Sequence, residues 1–418
     1  MAQKGRGEGQ GPVGFRDSRK PAWNALLSLR RGAAKPLRIL HIVATISPAA
    51  GGPSEAIQML IRYAPPGDSA ELATLDDPSA AFLGALPFPV HAFGSAKPRW
   101  WRPALLRWLR ANRDRFDGVL VHGLWEYTGW AARRAFSERV PYMVFPHGML
   151  DPWFQRTYPA KHLKKCLYWL LSEYWTLRSA TRVLFTTATE RDLAQHTFWP
   201  ARWTPLVTPL GSEPPPADTA QLLDTFYDRC PELRGRRFLL FLGRIDPKKG
   251  CDLLVQAFAR EAADDTGLHL LMAGPDPADW GRELRAGAEA AGVADRIHWP
   301  GLLQGDAKWG ALAACEAFIL PSHQENFGIA VVEALASGKP VLISDQVNIA
   351  PEIAAAHCGL VEPDTLAGTR RLLERWLAMD PAARAAMSDN ARRKFSADYD
   401  MRCNTAQVLN AFPTTEAR

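Results

Sequence analysis

Near position 37 the chain turns abruptly apolar, and Leu37-Arg-Ile-Leu-His-Ile-Val-Ala44 has almost no polar alternation. A strand covered on both faces reads this way, because neither side of its pleat meets water. A Pro/Gly loop, Ser47 to Pro53, follows, and then Ser54-Glu-Ala-Ile-Gln-Met-Leu-Ile-Arg62 with apolar residues at helical spacing. The alternation recurs at Gly118-Val-Leu-Val-His122, Tyr142-Met-Val-Phe145, Arg182-Val-Leu-Phe185 and Pro205-Leu-Val-Thr208. It restarts at Arg237-Phe-Leu-Leu-Phe-Leu-Gly243 and continues through Leu268 to Ala273, Ala317 to Leu320 and Val341 to Ser344. Strands alternating with helices make βαβ units and parallel sheets, so the expected class is α/β.

The densest proline stretch, Thr208-Pro-Leu-Gly-Ser-Glu-Pro-Pro-Pro-Ala217, separates two such halves. A chain of 418 residues, 47% hydrophobic, is long enough for two cores and too apolar for wholesale disorder. The expected organisation is a basic tail over 1–35, a Rossmann-like domain over 36–210, a second over 211–395, and a C-terminal segment over 396–418. The two domains face a cleft.

Charge sharpens this division. Eight of the 50 Lys and Arg lie in residues 1–35 with only two acids, and the rest of the chain balances to neutrality. A wholly basic nucleic-acid-binding fold is therefore excluded, and the leader is expected to stay disordered. Within it, Trp23 to Arg31 is read either as solvated chain or as a short amphipathic helix on a membrane surface. The apolar piece Ala25 to Leu29 is too short for a signal sequence and is closed by Arg30-Arg31. No run reaches the ~18 apolar residues of a membrane span. The six cysteines lack C-x-x-C spacing and read as reduced thiols of a cytosolic protein.

Two helical stretches combine apolar and basic residues. Ala104 to Arg113 places Leu105, Trp108 and Leu109 on one face, read as covering the first sheet in preference to lying on an anionic membrane. Residues 160–178 join Lys161, Lys164, Lys165 and Arg178 with Leu167, Tyr168, Trp169, Leu170 and Trp175. This second stretch fits either a covering helix or contact with an anionic membrane.

Three segments carry chemistry. In Pro321-Ser-His-Gln-Glu-Asn-Phe-Gly-Ile-Ala-Val-Val-Glu333 a strand ends in a turn, and a helix from Ile329 follows. Backbone N–H groups near Asn326, Phe327 and Gly328 would form a cradle for an anion or hydroxyl. Glu325 and Glu333 should lie roughly 12 Å apart along the axis, beyond the ~5–9.5 Å of a glycosidase pair. Two separate hydroxyl acceptors fit better. In Phe241-Leu-Gly-Arg-Ile-Asp-Pro-Lys-Lys-Gly250, a strand delivers Arg244 and Lys249 beside a helix N-terminus, an arrangement suited to a diphosphate. His147-Gly148, and with the same geometry His122-Gly123, directly follow buried strands, where α/β folds place ligand groups. Gly51-Gly52 lets backbone approach a phosphate or sugar. A dinucleotide fingerprint, a P-loop and a metal cluster are all missing from the motifs, so no metal and no bound cofactor is expected.

Together the E-x7-E spacing (Glu325 to Glu333), the G-R-x4-K-G loop (Gly243 to Gly250), the H-G-M segment at His147 and the G-G-P loop resemble the retaining nucleotide-sugar glycosyltransferases of family four, which have the GT-B fold. Ala273-Gly-Pro-Asp276 and Ser344 to Ile353 extend the likeness, which runs from about residue 37 to about 400. The resemblance implies that Arg244 and Lys249 hold the donor diphosphate and Glu333 the ribose hydroxyls. Glu325, with the backbone of Asn326, Phe327 and Gly328, would grip the sugar. His147 would reach that sugar from the other domain, and Gly52 would let the domains close on the phosphate. Asn326 stands where the family usually has Gly. The family also implies a last helix crossing back to the first domain.

The implied reaction moves a sugar from a nucleotide-diphosphate donor to a saccharide or lipid-linked acceptor hydroxyl, with retention. The departing phosphate serves as base, and fixed cations reduce the need for a metal. The implied setting is bacterial exopolysaccharide, lipopolysaccharide or glycolipid assembly, in the cytoplasm or peripherally on the inner face of the plasma membrane. A nucleotide-sugar epimerase or phosphorylase on the same architecture, or a non-catalytic sugar-nucleotide-binding module, remains the alternative.

Overall fold

The computed structural model describes residues 36–94, 101–157 and 159–413. The expectations for residues 1–35, and for the last five residues of the C-terminal segment, fall outside these.

Seven parallel strands form the first sheet: β1 (Arg38–Val43), β2 (Ser69–Thr74), β3 (Val90–Ala92), β4 (Gly118–His122), β5 (Tyr142–Phe145), β6 (Arg182–Phe185) and β7 (Pro205–Val207). Their order is β3-β2-β1-β4-β5-β6-β7. Six more make the second: β8 (Arg237–Leu242), β9 (Leu268–Ala273), β10 (Ile297–Gly301), β11 (Ala317–Leu320), β12 (Val341–Ser344) and β13 (Gly359–Glu362), ordered β10-β9-β8-β11-β12-β13. The central strands β4, β5, β9, β11 and β12 are buried along their whole length, as their apolar runs require. In each sheet the order reverses beside the first strand, at β1/β4 and at β8/β11. Such switch points open a crevice at the strands' carboxyl ends, where α/β folds bind ligands.

The C-terminal helix Met401–Asn410 returns to the first lobe. It packs on helix Gly52–Arg62, and Phe412 covers the start of β4 so closely that a Cβ on Gly118 would lie 2.6 Å from its ring. The proline-rich connection is clamped in passing: Ser212 N donates to Tyr399 O at 3.0 Å, and Asn404 Nδ2 to Leu210 O at 3.0 Å.

Of the two basic stretches, the first covers the core as its pattern suggests and the second departs from its pattern. Helix Pro103–Asn112 buries Leu105 and Leu109, and Trp108 packs against His91, Phe93 and Phe116, so this face covers the core. Further on, helix Pro159–Tyr168 runs through a π-helical turn, Trp169–Glu173, into helix Tyr174–Ser179. The extra residue in that turn rotates Trp169 into the core, where it is 0% exposed. The outward face is instead Leu163, Leu167, Leu170, Leu171 and Trp175.

The same turn buries Glu173 completely. Its Oε1 accepts from Trp125 N at 2.9 Å and its Oε2 has no hydrogen-bond partner. Burial pushes its pKa up from 4.5 to about 7, against the pull of the Trp125 N–H and with the push of Glu126. Because the folded value lies above the unfolded one, this stabilising contribution is intact below about pH 4.5 and lost as pH rises through about 7. Glu173→Gln keeps the acceptor for Trp125. It is expected to raise unfolding free energy by on the order of 3 kcal/mol at pH 8 and hardly at all at pH 4.5, read from urea midpoints.

Candidate active site

The second lobe's wall grows from the carboxyl ends of β8 and β11. After β8 the chain makes a short turn, Pro247–Lys249, capped by the Asp246 carboxylate, which accepts from Lys248 N at 3.0 Å. Gly250 takes the left-handed conformation that starts helix Cys251–Glu261. The loop after β11 locks onto this turn: Ser322 Oγ and His323 N donate to Lys248 O at 3.0 and 2.8 Å. Glu325 is pinned by its backbone, its N donating to Gln346 O (3.1 Å) and its O accepting from Asn348 N (3.0 Å).

On that frame the Lys249 ammonium pairs directly with the Glu325 carboxylate. Burial pushes the Glu325 pKa up, but Lys249, Lys248 and the exposed Arg244 outweigh it and hold the carboxyl below its ordinary range. Lys248 lies 5.2 Å from the centre of the Trp153 ring, which belongs to the first lobe. Glu325 therefore stays ionised among three cations at the mouth of the crevice. Glu333, 5% exposed and a helix further on, pairs with Lys308 at 2.6 Å. Burial raises its pKa although Lys308 opposes the rise, with Glu55 and Glu213 adding their repulsion. Each acid of the E-x7-E spacing thus has its own lysine, which separates them into two subsites. Gly328 opens helix Ile329–Ala336 in the left-handed conformation, and no side chain caps the helix start. Phe327 turns its ring into the core against Tyr399 at 5.7 Å, so only its backbone remains for a ligand.

The first lobe's wall is built on β1, β4 and β5. His147 has φ 51° and Gly148 φ 75°, and this loop is held by Glu190. Glu190 Oε1 accepts from Gly148 N, and its Oε2 accepts from Thr186 N and Thr186 Oγ1, each at 2.7 Å. Behind His147 lies His122, with Nδ1 3.1 Å from His147 Nε2, and behind that His41, with Nδ1 3.0 Å from His122 Nε2. Burial lowers all three imidazole pKa values, that of His147 to about 4, so the rings are neutral at pH 7.

Besides Lys248 and Trp153, further contacts join the walls. Asn326 Nδ2 donates to Thr186 Oγ1 at 3.2 Å, and Gln324 Nε2 to Asp151 Oδ2 at 2.8 Å. Gly52, at the start of helix Gly52–Arg62, faces Ile329, whose Cβ would lie 3.9 Å from a Cβ at that position. The structure thus brings His147, Arg244, Lys249, Glu325, Asn326, Gly328 and Gly52 to one interlobe crevice, with Glu333 deeper in the second lobe. Sequence reasoning missed Lys308, Glu190, Thr186, Gln324 and His41. Thr187-Ala-Thr-Glu190 does carry a capping-box spacing, but that signature points Glu190 at its own helix start and not at Gly148.

Two family models match, "Glycosyl transferase 4-like domain" over residues 51–209 and "Glycosyl transferases group 1" over 229–394. Among curated proteins, GDP-mannose:cellobiosyl-diphosphopolyprenol alpha-mannosyltransferase of Komagataeibacter xylinus is 26% identical over 88% of this chain and 91% of its own. A D-inositol 3-phosphate glycosyltransferase of Jonesia denitrificans is 37% identical, but the match spans 30% of this chain and 31% of that protein. Among solved structures, Anabaena Alr3699/HepE with UDP-glucose superposes with a TM-score of 0.70 at 18% identity, over 90% of this chain and 98% of that one. WaaG, a glycosyltransferase involved in lipopolysaccharide biosynthesis, gives 0.61 at 19% over 90% and 99%. At these identities the superpositions speak for the fold alone.

Proposed function

Because the chain belongs to the family-four-like glycosyltransferases of GT-B fold, we propose that it transfers a sugar from a nucleotide-diphosphate donor to an acceptor hydroxyl with retention. The observation that carries this reading is the Lys249–Glu325 pair, flanked by Lys248 and Arg244 at the crevice mouth opposite His147. In the free protein Lys249 neutralises Glu325. An arriving diphosphate competes for the ammonium and for Arg244, and so frees the carboxylate to accept sugar hydroxyls. Glu333, beside Lys308, accepts the ribose hydroxyls.

As the anomeric C–O bond breaks, charge collects on the leaving phosphate. Cations fixed beforehand stabilise that charge without reorganising. The acceptor oxygen attacks from the face the phosphate leaves, and its proton passes to a phosphate oxygen. Incubation with single nucleotide sugars, following nucleoside diphosphate release with and without saccharide acceptors, tests the activity. The anomeric configuration of the product tests retention. Donor consumption that never needs an acceptor would favour an epimerase.

The acceptor approaches over the recess lined by Met149, Asp151, Lys161, Lys165 and Phe198, which begins two residues past His147 in the chain. Just outside it lie the exposed Leu163, Leu167 and Leu171 (74%, 63% and 69%), flanked by exposed Lys161, Lys164 and Arg178. Among the described residues no helix is long and apolar enough to cross a membrane, and this face suits lying on an anionic one. At ~1 kcal/mol per lysine, Lys161→Glu/Lys164→Glu should weaken partitioning onto phosphatidylglycerol vesicles by ~30-fold or more. Sedimentation with the vesicles measures it, and equal partitioning of both proteins would remove the membrane reading.

A further inference from the structure

Behind His147, the histidines His41 and His122 lie outside the roles assigned so far. His41 sits on β1, His122 ends β4 and His147 follows β5, three neighbouring strands of one sheet. The ring planes of His41 and His122 are within 5° of parallel, and those of His122 and His147 within 18°. Centroids 5.3 Å apart with nitrogens 3.0 and 3.1 Å apart mean the rings meet edge to edge through hydrogen bonds. His41 and His122 are 1% and 2% exposed, and His147 is partly exposed.

A neutral imidazole has one N–H and one bare nitrogen. In both links a Nδ1 faces a Nε2, so only two proton patterns satisfy the row. Either every ring carries its proton on Nδ1, or every ring carries it on Nε2. With His147 Nε2 committed to His122, the atom left for the crevice is His147 Nδ1. In the first pattern it is a donor; in the second it is a bare acceptor. An isolated neutral histidine in water favours the Nε2–H form, so a lone His147 would present the acceptor.

We propose that His41 and His122 are positioning residues whose hydrogen-bonded row fixes His147 with Nδ1–H pointing into the crevice, toward the oxygens of the donor. The proposal rests on the glycosyl-transfer reading for what His147 faces. Oxygens of a sugar and a departing phosphate accept hydrogen bonds as charge builds on them, and a bare nitrogen there would repel them. The φ of 51° at His147 is a backbone cost that a built site can hold, here through Glu190 and the imidazole row. Removing His41 releases His122 Nε2 from accepting, lets His122 revert to its Nε2–H form, and forces His147 to donate inward.

The test joins a spectrum to kinetics. In protein labelled with ¹⁵N-histidine and saturated with inorganic pyrophosphate, all three rings should show the Nδ1–H tautomer. His41→Phe should shift His147 to Nε2–H and lower kcat at least ~10-fold, with KM for the donor within ~3-fold. His41→Asn, whose side-chain amide can stand in for the Nδ1–H donor, should recover most of kcat. His147 as Nε2–H in the wild type would overturn the proposal even if His41→Phe failed to fold. So would a folded His41→Phe within 2-fold of wild-type kcat. Absence of sugar transfer by the wild type with any nucleotide sugar would instead sink the functional reading, and the spectrum would still decide the tautomer.

Discussion

Lys249→Ala is expected to lower kcat/KM for the nucleotide-sugar donor by about 100-fold or more while the protein stays folded. One preorganised donor aimed at developing charge is worth ~2.7–4 kcal/mol, and Lys249 is the cation closest to Glu325 in the crevice. The loss falls on both terms, since the diphosphate is charged in the ground state and more so as it leaves. Stability should change little. The vacated Glu325 still has Lys248 and Arg244 for company, and the turn keeps the bonds from Ser322 and His323 to Lys248 O. Arg244→Ala should act in the same direction and by a similar factor. Lys249→Arg should restore only part of the rate, because a planar guanidinium spreads the charge that the ammonium concentrates. Steady-state assays of nucleoside diphosphate release check all three. A Lys249→Ala enzyme within 3-fold of wild type would mean that the crevice does not hold the leaving group.

The residues in that prediction were legible because each follows a strand that announces itself. Phe238 to Leu242 and Ala317 to Leu320 are buried on both faces, so their ends are sharp, and whatever comes next must stand at the crevice. Strands at the sheet margins were not legible. In β2, Ser-Ala-Glu-Leu-Ala-Thr, the first three positions keep solvent contact and the apolar run never forms. In β10 a proline and a terminal glycine interrupt the pattern, and the pairing with β9 itself shifts register there. The missing site residues share another cause. Lys308 meets Glu333 and Glu190 meets Gly148 through tertiary packing, and linear spacing carries no trace of which helix face meets which loop. His41 stands inside an apolar run, and nothing in that run marks it out. Only the lateral register, which sets Val43 opposite His122, brings its ring to the row.

The second large effect is expected at Gly148. Its φ of 75° suits glycine, and a Cβ there would lie 2.6 Å from Asn326 Cγ and 2.7 Å from Asn326 Cβ. Gly148→Ala therefore carries two separable costs. The left-handed backbone adds ~1–3 kcal/mol of strain, and the methyl occupies the path by which Asn326 reaches Thr186 across the crevice. Relieving the overlap pushes the lobes apart, where His147 and the Lys249 turn no longer act on one substrate, so transfer should drop by ~100-fold or more. Asn326→Gly alone removes the side chain and one interlobe bond, and should cost far less. Combining the two substitutions removes the overlap but keeps the strain, so the double variant should be ~10-fold more active than Gly148→Ala, a coupling far outside additivity. A double variant no better than Gly148→Ala would show that the loss comes from the strained loop itself, and that Asn326 does not set how closely the two walls approach.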